Sequence, residues 1–176
     1  MGLVISPHNT RQLATLRHGK TARVRPPIES GRGNIVTIIA YDGKTLASDR
    51  RALSNGAIRT TTKIRRIGDL LVGASGDVSA TAEVFKWVEN GRISDEYPKI
   101  QKDKDSFCCL MVIEHGEVYI YEMSAQPTRY DDKHAAIGNG RDLAIAAMHC
   151  GRTAEEAVEI ASIYDASCGN GVDTLI

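Results

Sequence analysis

The stretch NIVTIIAYDGKTLASD, residues 34–49, decides the fold, and its pattern predicts a β-hairpin. Two apolar and β-branched runs, 35–41 and 44–48, flank Asp42-Gly43, a dipeptide that favours the tight turns of hairpins. Thr37 stands at the head of the first run, more than thirty residues into the chain. In an intact chain it is an ordinary strand residue. A cut before it would place a free α-amine beside its own hydroxyl.

The composition is that of one globular domain. The chain has 176 residues, of which 42% are hydrophobic and 25% charged, so it can bury a substantial core. Basic and acidic residues balance at 22 each, and no apolar run approaches the roughly 20 residues of a membrane span. We therefore expect neither nucleic acid nor a membrane as a partner. The cysteines lack zinc spacing and predict small hydrophobic residues in a reduced, cytoplasmic protein; they are Cys108, Cys109, Cys150 and Cys168.

The first 33 residues differ in character from the rest. They hold six basic residues against one acid, Glu29, together with three prolines, and they end in ESGRG. Such a segment predicts neither helix nor strand, and it has no apolar region of a secretory signal. We expect a basic leader or pro-segment over 1–33 and one domain over 34–176. A transit peptide, or a true translation start at Val36, remains an alternative.

Three hairpins are predicted in the first two thirds of the chain. The second joins KIRRI and LLVGA (63–67 and 70–74), and the third joins FCCLMVIE and EVYIYEM (107–114 and 117–123). Between the first two hairpins, the polar stretch 49–62 predicts a loop with a turn at Asn55-Gly56. Shorter strands are predicted at HAAIG and at GVDTLI.

Helices are predicted between and after these hairpins. The first is indicated by apolar residues at helical spacing before Gly91, namely Val78, Ala82, Phe85 and Val88. Two more are predicted in RDLAIAAMHC and TAEEAVEIASIY, and Thr153 with Glu156 gives the latter a capping box. Hairpins interleaved with helices indicate an α+β layered fold rather than alternating βαβ units.

Two glycine motifs predict nothing firm. GASGD (73–77) has Asp77 where the nucleophile elbow G-x-S-x-G needs glycine. GNGRDL (138–143) follows a predicted strand, but it lacks the third glycine and the later acid of a dinucleotide site. The histidines show no ligand spacing, so we expect no metal and no other cofactor.

Polar residues at the ends of predicted elements could serve one chemistry together with Thr37. Asp49 ends a strand, Lys63 begins one, and Asp165 closes a helix. An N-terminal threonine could use its own α-amine, whose pKa lies near 8, as the base for its hydroxyl. A buried lysine held by a carboxylate would lower the hydroxyl pKa, and a backbone amide would stabilise the oxyanion. Taken singly, each residue is equally explained by strand-end charge or a helix-end turn.

Five segments, in order, resemble the proteasome β-subunit and HslV-type threonine peptidases, especially their short bacterial and phage members. They are TIIAYDGKTLASDRRA, KIRRI, VGASGD, AIGNGRDLAIAAM and YDASCGNGVDTL. The match covers nearly everything from Val36 to Ile176. The resemblance implies an α+β fold, the four-layer αββα sandwich of N-terminal nucleophile hydrolases.

The resemblance also implies roles for single residues. Thr37 would be the nucleophile, exposed by cleavage after Val36, with Lys63 tuning it and Asp49 orienting Lys63. The amide of Gly73 would sit in the oxyanion hole. A hydrogen-bond network around the free amine would involve the remaining predicted site residues, which are Asn139, Asp165 and Cys168.

The chain departs from the family pattern at two positions of the predicted site, and at a third position where the change is tolerable. Asn139 stands where the family has serine, Cys168 where it has serine or threonine, and Ile38 where it has a second threonine. Asparagine can still donate and accept hydrogen bonds, whereas a thiol does both weakly. A rival alignment, which needs a gap in the hairpin, puts Asn34 at the nucleophile position and predicts an inactive protein.

Two functions are therefore expected as alternatives. One is a threonine-type peptidase subunit of a self-compartmentalised homo-oligomeric ring, acting on peptides or unfolded proteins, with an ATP-dependent unfoldase as an optional partner. The other is a non-catalytic assembly or binding component of the same fold that keeps its basic leader for an anionic partner.

Overall fold

The structure, a computed structural model, describes residues 34–35, 37–54, 56–99 and 107–176. The predicted leader, Val36 and Asn55 of the predicted turn lie outside the described residues. The strands are β1 (Asn34–Ile35), β2 (Ile38–Tyr41), β3 (Leu46–Asp49), β4 (Arg51–Ser54), β5 (Ala57–Thr60), β6 (Ile64–Ile67), β7 (Leu70–Asp77), β8 (Cys108–Glu114), β9 (Glu117–Tyr121), β10 (Thr128–Tyr130), β11 (Ala135–Gly138) and β12 (Val172–Leu175). The helices are α1 (Val78–Glu89), α2 (Arg141–His149) and α3 (Ala154–Tyr164), with a short 3-10 turn at Ser94–Glu96.

The described strands form two main sheets, and all their pairings are antiparallel. The larger sheet has the order β1-β7-β8-β9-β10, and β6 also pairs with β7. The smaller sheet has the order β11-β2-β3-β12. A separate two-stranded hairpin, β4–β5, projects beyond the end of β3.

Three hydrophobic clusters separate four layers. One cluster lies between the sheets and includes Ile39 of β2, Ile64 of β6 and Met111 of β8. A second packs α1 on the outer face of the larger sheet, and a third packs α2 and α3 on the outer face of the smaller sheet. Full burial of each such aliphatic side chain stabilises the fold by about 1.5–3 kcal/mol. The layer order is therefore helix, sheet, sheet, helix, which confirms the predicted αββα sandwich.

Helix α1 forms where predicted, and it buries only part of the predicted apolar face. Asp77 caps it by accepting bonds from the amides of Ser79 and Ala80. Val78 is 48% exposed and Ala82 is also exposed, whereas Trp87 is packed edge-on against aromatic neighbours in the core. Of the four apolar residues at helical spacing, Phe85 and Val88 therefore lie in the core, whereas Val78 and Ala82 do not. Contact with the sheet selects a face that includes Trp87 and leaves Val78 and Ala82 exposed.

Several short strands were not predicted. The stretch 49–62, expected to be a loop, contains β4 and β5, and the strand β10 was also missed. The predicted strand 35–41 is divided, because β1 pairs with β7 while β2 pairs with β3 and β11. These strands lie at sheet edges or outside the sandwich, so burial imposes no clear alternation on their sequences.

Two expectations based on composition can be compared with the structure. Cys108, Cys109 and Cys168 are buried among apolar side chains as expected, but Cys150 is exposed at the end of α2. Within the described residues, no helix is long and apolar enough to cross a membrane.

Candidate active site

Thr37 lies directly before β2 and is completely buried. Its carbonyl closely approaches Gly138 of β11, where a Cβ atom would lie only 2.0 Å from the Thr37 oxygen. Gly138 also has a φ of +95°, a conformation that side chains rarely adopt. Both facts require glycine at position 138, so that the end of β11 can pack against the residue before β2.

A buried ion pair joins the two sheets next to Thr37. The Lys63 Nζ lies 2.7 Å from Asp49 Oδ1, and both side chains are fully buried. Asp49 ends β3 of the smaller sheet, and Lys63 directly precedes β6 of the larger one. Asp49 Oδ1 also accepts a hydrogen bond from the Ile38 amide at 3.0 Å. The carboxylate of Asp49 is thereby bonded to the residue that follows Thr37 in the chain.

Backbone amides hold the Asp49 carboxylate in place. Its Oδ2 accepts from the amide of Arg51 at 3.1 Å and from the amide of Gly169 at 3.0 Å. With the Ile38 amide and the Lys63 ammonium, four donors therefore surround this one carboxylate. An acceptor so well satisfied is costly to rotate or remove, which makes Asp49 a rigid support for Lys63.

The surroundings of Lys63 shift the pKa of its ammonium in opposite directions, and the net effect lowers it. Burial lowers the pKa of the Lys63 ammonium, the charge and hydrogen bond of Asp49 oppose that effect only in part, and Arg51 lowers the pKa further. A lysine with a lowered pKa next to a specific charge partner is typical of functional sites, although structural ion pairs can share it.

The loop after α3 brings the predicted Asp165 and Cys168 to the same side of the sandwich. Asp165 ends the helix and accepts bonds from the amide of Ser167 at 2.9 Å and from the Ser167 hydroxyl. Cys168 is buried in the cluster beneath α2 and α3, and burial, aided by the charge of Asp49, raises the pKa of its thiol to about 12. The thiol is therefore neutral at physiological pH.

Ser167 is a hydroxyl near this site that the sequence interpretation missed. Its Oγ lies 3.8 Å from the Cys168 sulfur while it also contacts Asp165. The signal was present in the sequence, because a serine directly precedes the cysteine that departs from the family pattern. Only the loop conformation shows which of the two side chains contacts the carboxylate.

Asn139 stands at the rim of the site. It is exposed between Gly138 and Gly140, and α2 begins just after it. Gly140 is needed for close packing, since a Cβ there would lie 2.2 Å from the Ile38 side chain. The predicted contact of Asn139 with the amine network stays a prediction.

Gly73 is placed in the middle of β7, where its surroundings favour a packing role. A Cβ at this position would come within 2.9 Å of Ile39 and 3.2 Å of Ile64 in the core between the sheets. The Ala74 amide donates to the Lys63 carbonyl at 3.1 Å, and the Asp77 amide to the Phe107 carbonyl on the β8 side. Because successive amides of a strand face opposite edges, that of Gly73 faces β8. An oxyanion role for it would require that rung of the sheet to open.

The strand β1, two residues before Thr37, occupies the free edge of β7. Asn34 is registered with Asp77, and Ile35 with Gly76, on the same edge that β6 covers further along. The strand β1 thus adds to the sheet as an extended peptide does in β-strand addition. The β4–β5 hairpin lies on the other side of β1.

The structure shows no alternative catalytic centre of metal type in its described part, where no group of three or more histidine, cysteine or acidic residues could hold an ion. A cavity of about 280 Å³ lies at the far end of β2, where Tyr41 ends the strand. Ion-paired surface groups line it, including Arg129 with Glu117 and Asp131. This cavity is separate from Thr37.

Comparison with known proteins identifies the fold. No protein-family model and no curated protein matches the chain. Among solved structures, a eukaryotic HslV from Trypanosoma brucei matches with a TM-score of 0.60 and 22% identity, over 79% of this chain and 97% of that chain. BPH from Thiobacillus denitrificans, in complex with epoxomicin, matches with a TM-score of 0.59 and 17% identity, over 79% and 96%. BPH in a further structure matches at 0.54 and 16%, over 79% and 95%. The resemblance to the proteasome β-subunit and HslV family is thus confirmed at the level of the fold.

Proposed function

Because the chain has the proteasome and HslV fold and holds a buried Lys–Asp pair one residue from Thr37, we propose that it is the precursor of a threonine-type peptidase subunit. The pair is the observation that carries the proposal, since Lys63 and Asp49 form a 2.7 Å contact with no exposure to solvent. Burying such a pair costs several kcal/mol per ion, which the fold must recover elsewhere. The proposed role of the Lys63 ammonium, which is to lower the pKa of the Thr37 hydroxyl, would explain why the chain bears this cost.

Maturation would use Thr37 on its own chain. The hydroxyl oxygen attacks the Val36 carbonyl carbon, and the bond from that carbon to the Thr37 nitrogen breaks as an ester forms. The hydroxyl proton passes to that nitrogen, which becomes the α-amine. Water then hydrolyses the ester, which frees residues 1–36 with a carboxyl end and leaves Thr37 with a free α-amine. The strand β1, held in extended form on β7, supports this step because it fixes the chain just before the cleaved bond.

The mature subunit would hydrolyse peptide bonds by the same oxygen. The α-amine accepts the hydroxyl proton, the oxygen attacks the substrate carbonyl, and the leaving amine takes the proton as the acyl ester forms. Water then releases the acyl group and restores Thr37. The positive charge of Lys63 lowers the pKa of the hydroxyl, and Asp49 fixes the lysine.

The wider setting of this activity is proposed by analogy with the structural neighbours. Within the domain 34–176, residues 37–176 would form the mature subunit of a homo-oligomeric ring in the cytoplasm, where an ATP-dependent unfoldase would supply unfolded protein. The leader 1–33 would be removed during maturation together with residues 34–36. Epoxomicin, which BPH carries in its solved structure, is a suitable first probe for binding to the mature form.

A non-catalytic role is the second candidate, and the thiol of Cys168 favours it. Where the family carries a hydroxyl, this chain buries a sulfur whose raised pKa keeps it neutral. Such a group is a weak hydrogen-bond partner for a free amine. In this role the chain would keep its leader, and Thr37 would stay bonded to Val36 without a free α-amine.

Intact mass and N-terminal sequencing distinguish the two functions. We expect the purified full chain to lose the mass of residues 1–36 on incubation and to begin with Thr37. Thr37→Ala should abolish the loss, whereas the control Thr45→Ala, in the β2–β3 turn, should not. A wild-type chain that stays full length in its assembled state would refute the peptidase.

A further inference from the structure

The loop after α3 is held against the β4–β5 hairpin by two side chains to which the sequence interpretation gave no role, Arg51 and Asn170. Both lie outside the residues that the resemblance assigned to the site. Their contacts converge on the same short loop, 166–170, which follows Asp165 and contains Cys168.

Arg51 reaches the loop at two places. Its Nη1 donates to the Ala166 carbonyl at 2.6 Å, and its Nε to Asn170 Oδ1 at 3.4 Å. The guanidinium lies so close to Gly169 that a Cβ there would be 2.9 Å from Nη2. Gly169 has a φ of +137°, so both the close approach and the backbone conformation require glycine.

Asn170 completes the connection from the other side. Its Nδ2 donates to the Arg59 carbonyl and to the Thr60 hydroxyl, each at 3.2 Å, which ties it to β5. Its φ of 63° is left-handed, a conformation that asparagine tolerates better than most residues. Asn170 therefore bridges the hairpin and the arginine while it turns the chain.

Gly169, which lies between these contacts, binds the Asp49 carboxylate of the site. The Gly169 amide donates to Asp49 Oδ2 at 3.0 Å, and the Gly169 carbonyl accepts from the Arg50 amide at 2.9 Å. The second donor to Oδ2 is the amide of Arg51 itself. Two of the four donors to the carboxylate that holds Lys63 therefore depend on where Arg51 and Gly169 lie.

We propose that Arg51 and Asn170 form a clamp that positions the Asp49 carboxylate, and through it Lys63, for the reaction at Thr37. Both are positioning residues, and the inference rests on the proposed function. Arg51 adds an electrostatic effect, because its charge lowers the pKa of Lys63 whereas Asp49 and Cys168 raise it. Asn170 carries no charge and acts through geometry alone.

The rate constant for removal of the leader tests the clamp without a chosen substrate. Asn170→Gly keeps the left-handed backbone but removes the side-chain amide. We expect it to slow removal of the leader about tenfold, as small misplacements of reacting groups do. Arg51→Gln should slow it similarly, and Arg51→Lys should recover part of the loss. The control Arg152→Gln breaks only an exposed pair with Glu156 and should leave the rate unchanged.

The pH profile separates positioning from a general loss of structure. Removal should slow at alkaline pH as Lys63 loses its proton, and Arg51→Gln should move this limb to higher pH. Asn170→Gly and Arg51→Lys should leave the limb in place. Rates within twofold of wild type in both Asn170→Gly and Arg51→Gln would overturn the clamp.

Amide hydrogen exchange gives a readout that needs no activity. In the uncut Thr37→Ala chain, we expect Asn170→Gly to speed exchange at the Gly169 amide at least about tenfold. Unchanged exchange there would overturn the clamp even if the rate fell. If the wild-type chain never removes its leader, the proposed function fails, and the exchange result still decides whether the clamp holds Gly169.

Discussion

The buried Lys63–Asp49 pair allows a quantitative prediction about stability. Three variants probe it: Lys63→Met, Asp49→Asn and the double variant. Methionine fills most of the lysine's volume without charge, and asparagine keeps the shape of aspartate but exchanges one acceptor oxygen for a donor nitrogen. All are made in the Thr37→Ala chain so that every protein stays uncut.

The magnitudes follow from the contacts of Asp49. Removing one partner of a buried ion pair costs about 3–5 kcal/mol. In Lys63→Met the carboxylate keeps its three amide donors, from Ile38, Arg51 and Gly169, so we expect the lower end, about 3 kcal/mol. Asp49→Asn removes the charge partner of a buried ammonium and turns a donor toward amide N–H groups, so we expect about 5 kcal/mol. The double variant should cost no more than Asp49→Asn, which gives a coupling of about 3 kcal/mol.

Urea unfolding measures these differences. Trp87 is the single tryptophan, and it is 3% exposed on the buried face of α1, so its fluorescence reports loss of the core. A change in midpoint at constant slope gives the change in unfolding free energy. The control Arg152→Met breaks an exposed pair between residues four apart at the start of α3 and should cost about 0.5 kcal/mol or less.

Two results would refute the reasoning. If Lys63→Met destabilises no more than Arg152→Met, the lysine is not held in a buried pair. If Lys63→Met costs more than Asp49→Asn, the backbone amides do not support the carboxylate, and the account of Asp49 as a rigid element of the site fails.

Two further predictions concern pH and the contact at Thr37. The pKa of Lys63 in the folded protein lies below its ordinary value of 10.5. At pH values between the two, the unfolded chain binds more protons than the folded one, so the contribution of Lys63 to the unfolding free energy rises with pH. The difference in unfolding free energy between wild type and Lys63→Met should therefore grow from pH 7 towards pH 10.5. A difference that shrinks over this range would contradict a lowered pKa of Lys63. Gly138→Ala should destabilise the fold by about 3 kcal/mol or more, because its backbone is left-handed and its Cβ would lie 2.0 Å from the carbonyl oxygen of Thr37. The same change at Gly151, where nothing lies within 4 Å but φ is +85°, isolates the cost of the backbone alone, and equal losses would refute the contact.

Local signals in the sequence were reliable where the chemistry is local. The turn at Asp42-Gly43 forms with Gly43 at a φ of +93°, and the Asp42 carboxylate accepts from the amide of Thr45 as turn aspartates do. The capping box at Thr153 and Glu156 is present in both directions. Each of these features depends on residues two or three apart, so their sequence is enough to predict them.

Contacts between distant segments could not be predicted in this way. Arg51 and Asn170 are 119 positions apart, and Asn170 and Arg59 are 111 apart. Arg51 and Asn170 lie in two of the segments that resemble the family, but nothing local in either segment indicates that these side chains meet. The edge of β7 that receives β1 is likewise a property of the assembled sheet.

The sequence by itself determined three of the hairpins, the three helices and a layered α+β class. The family resemblance of its segments implied the αββα sandwich and the residues that a threonine nucleophile would need. Only the tertiary structure decided that Asp49 and Lys63 meet in a dry space, that Gly73 faces the core between the sheets, and that Arg51 and Asn170 fasten the loop after α3. The physical reason is that periodicity and turn chemistry act over a few residues. Burial, which lowers the pKa of a lysine and makes four donors converge on one carboxylate, exists only after both sheets have packed.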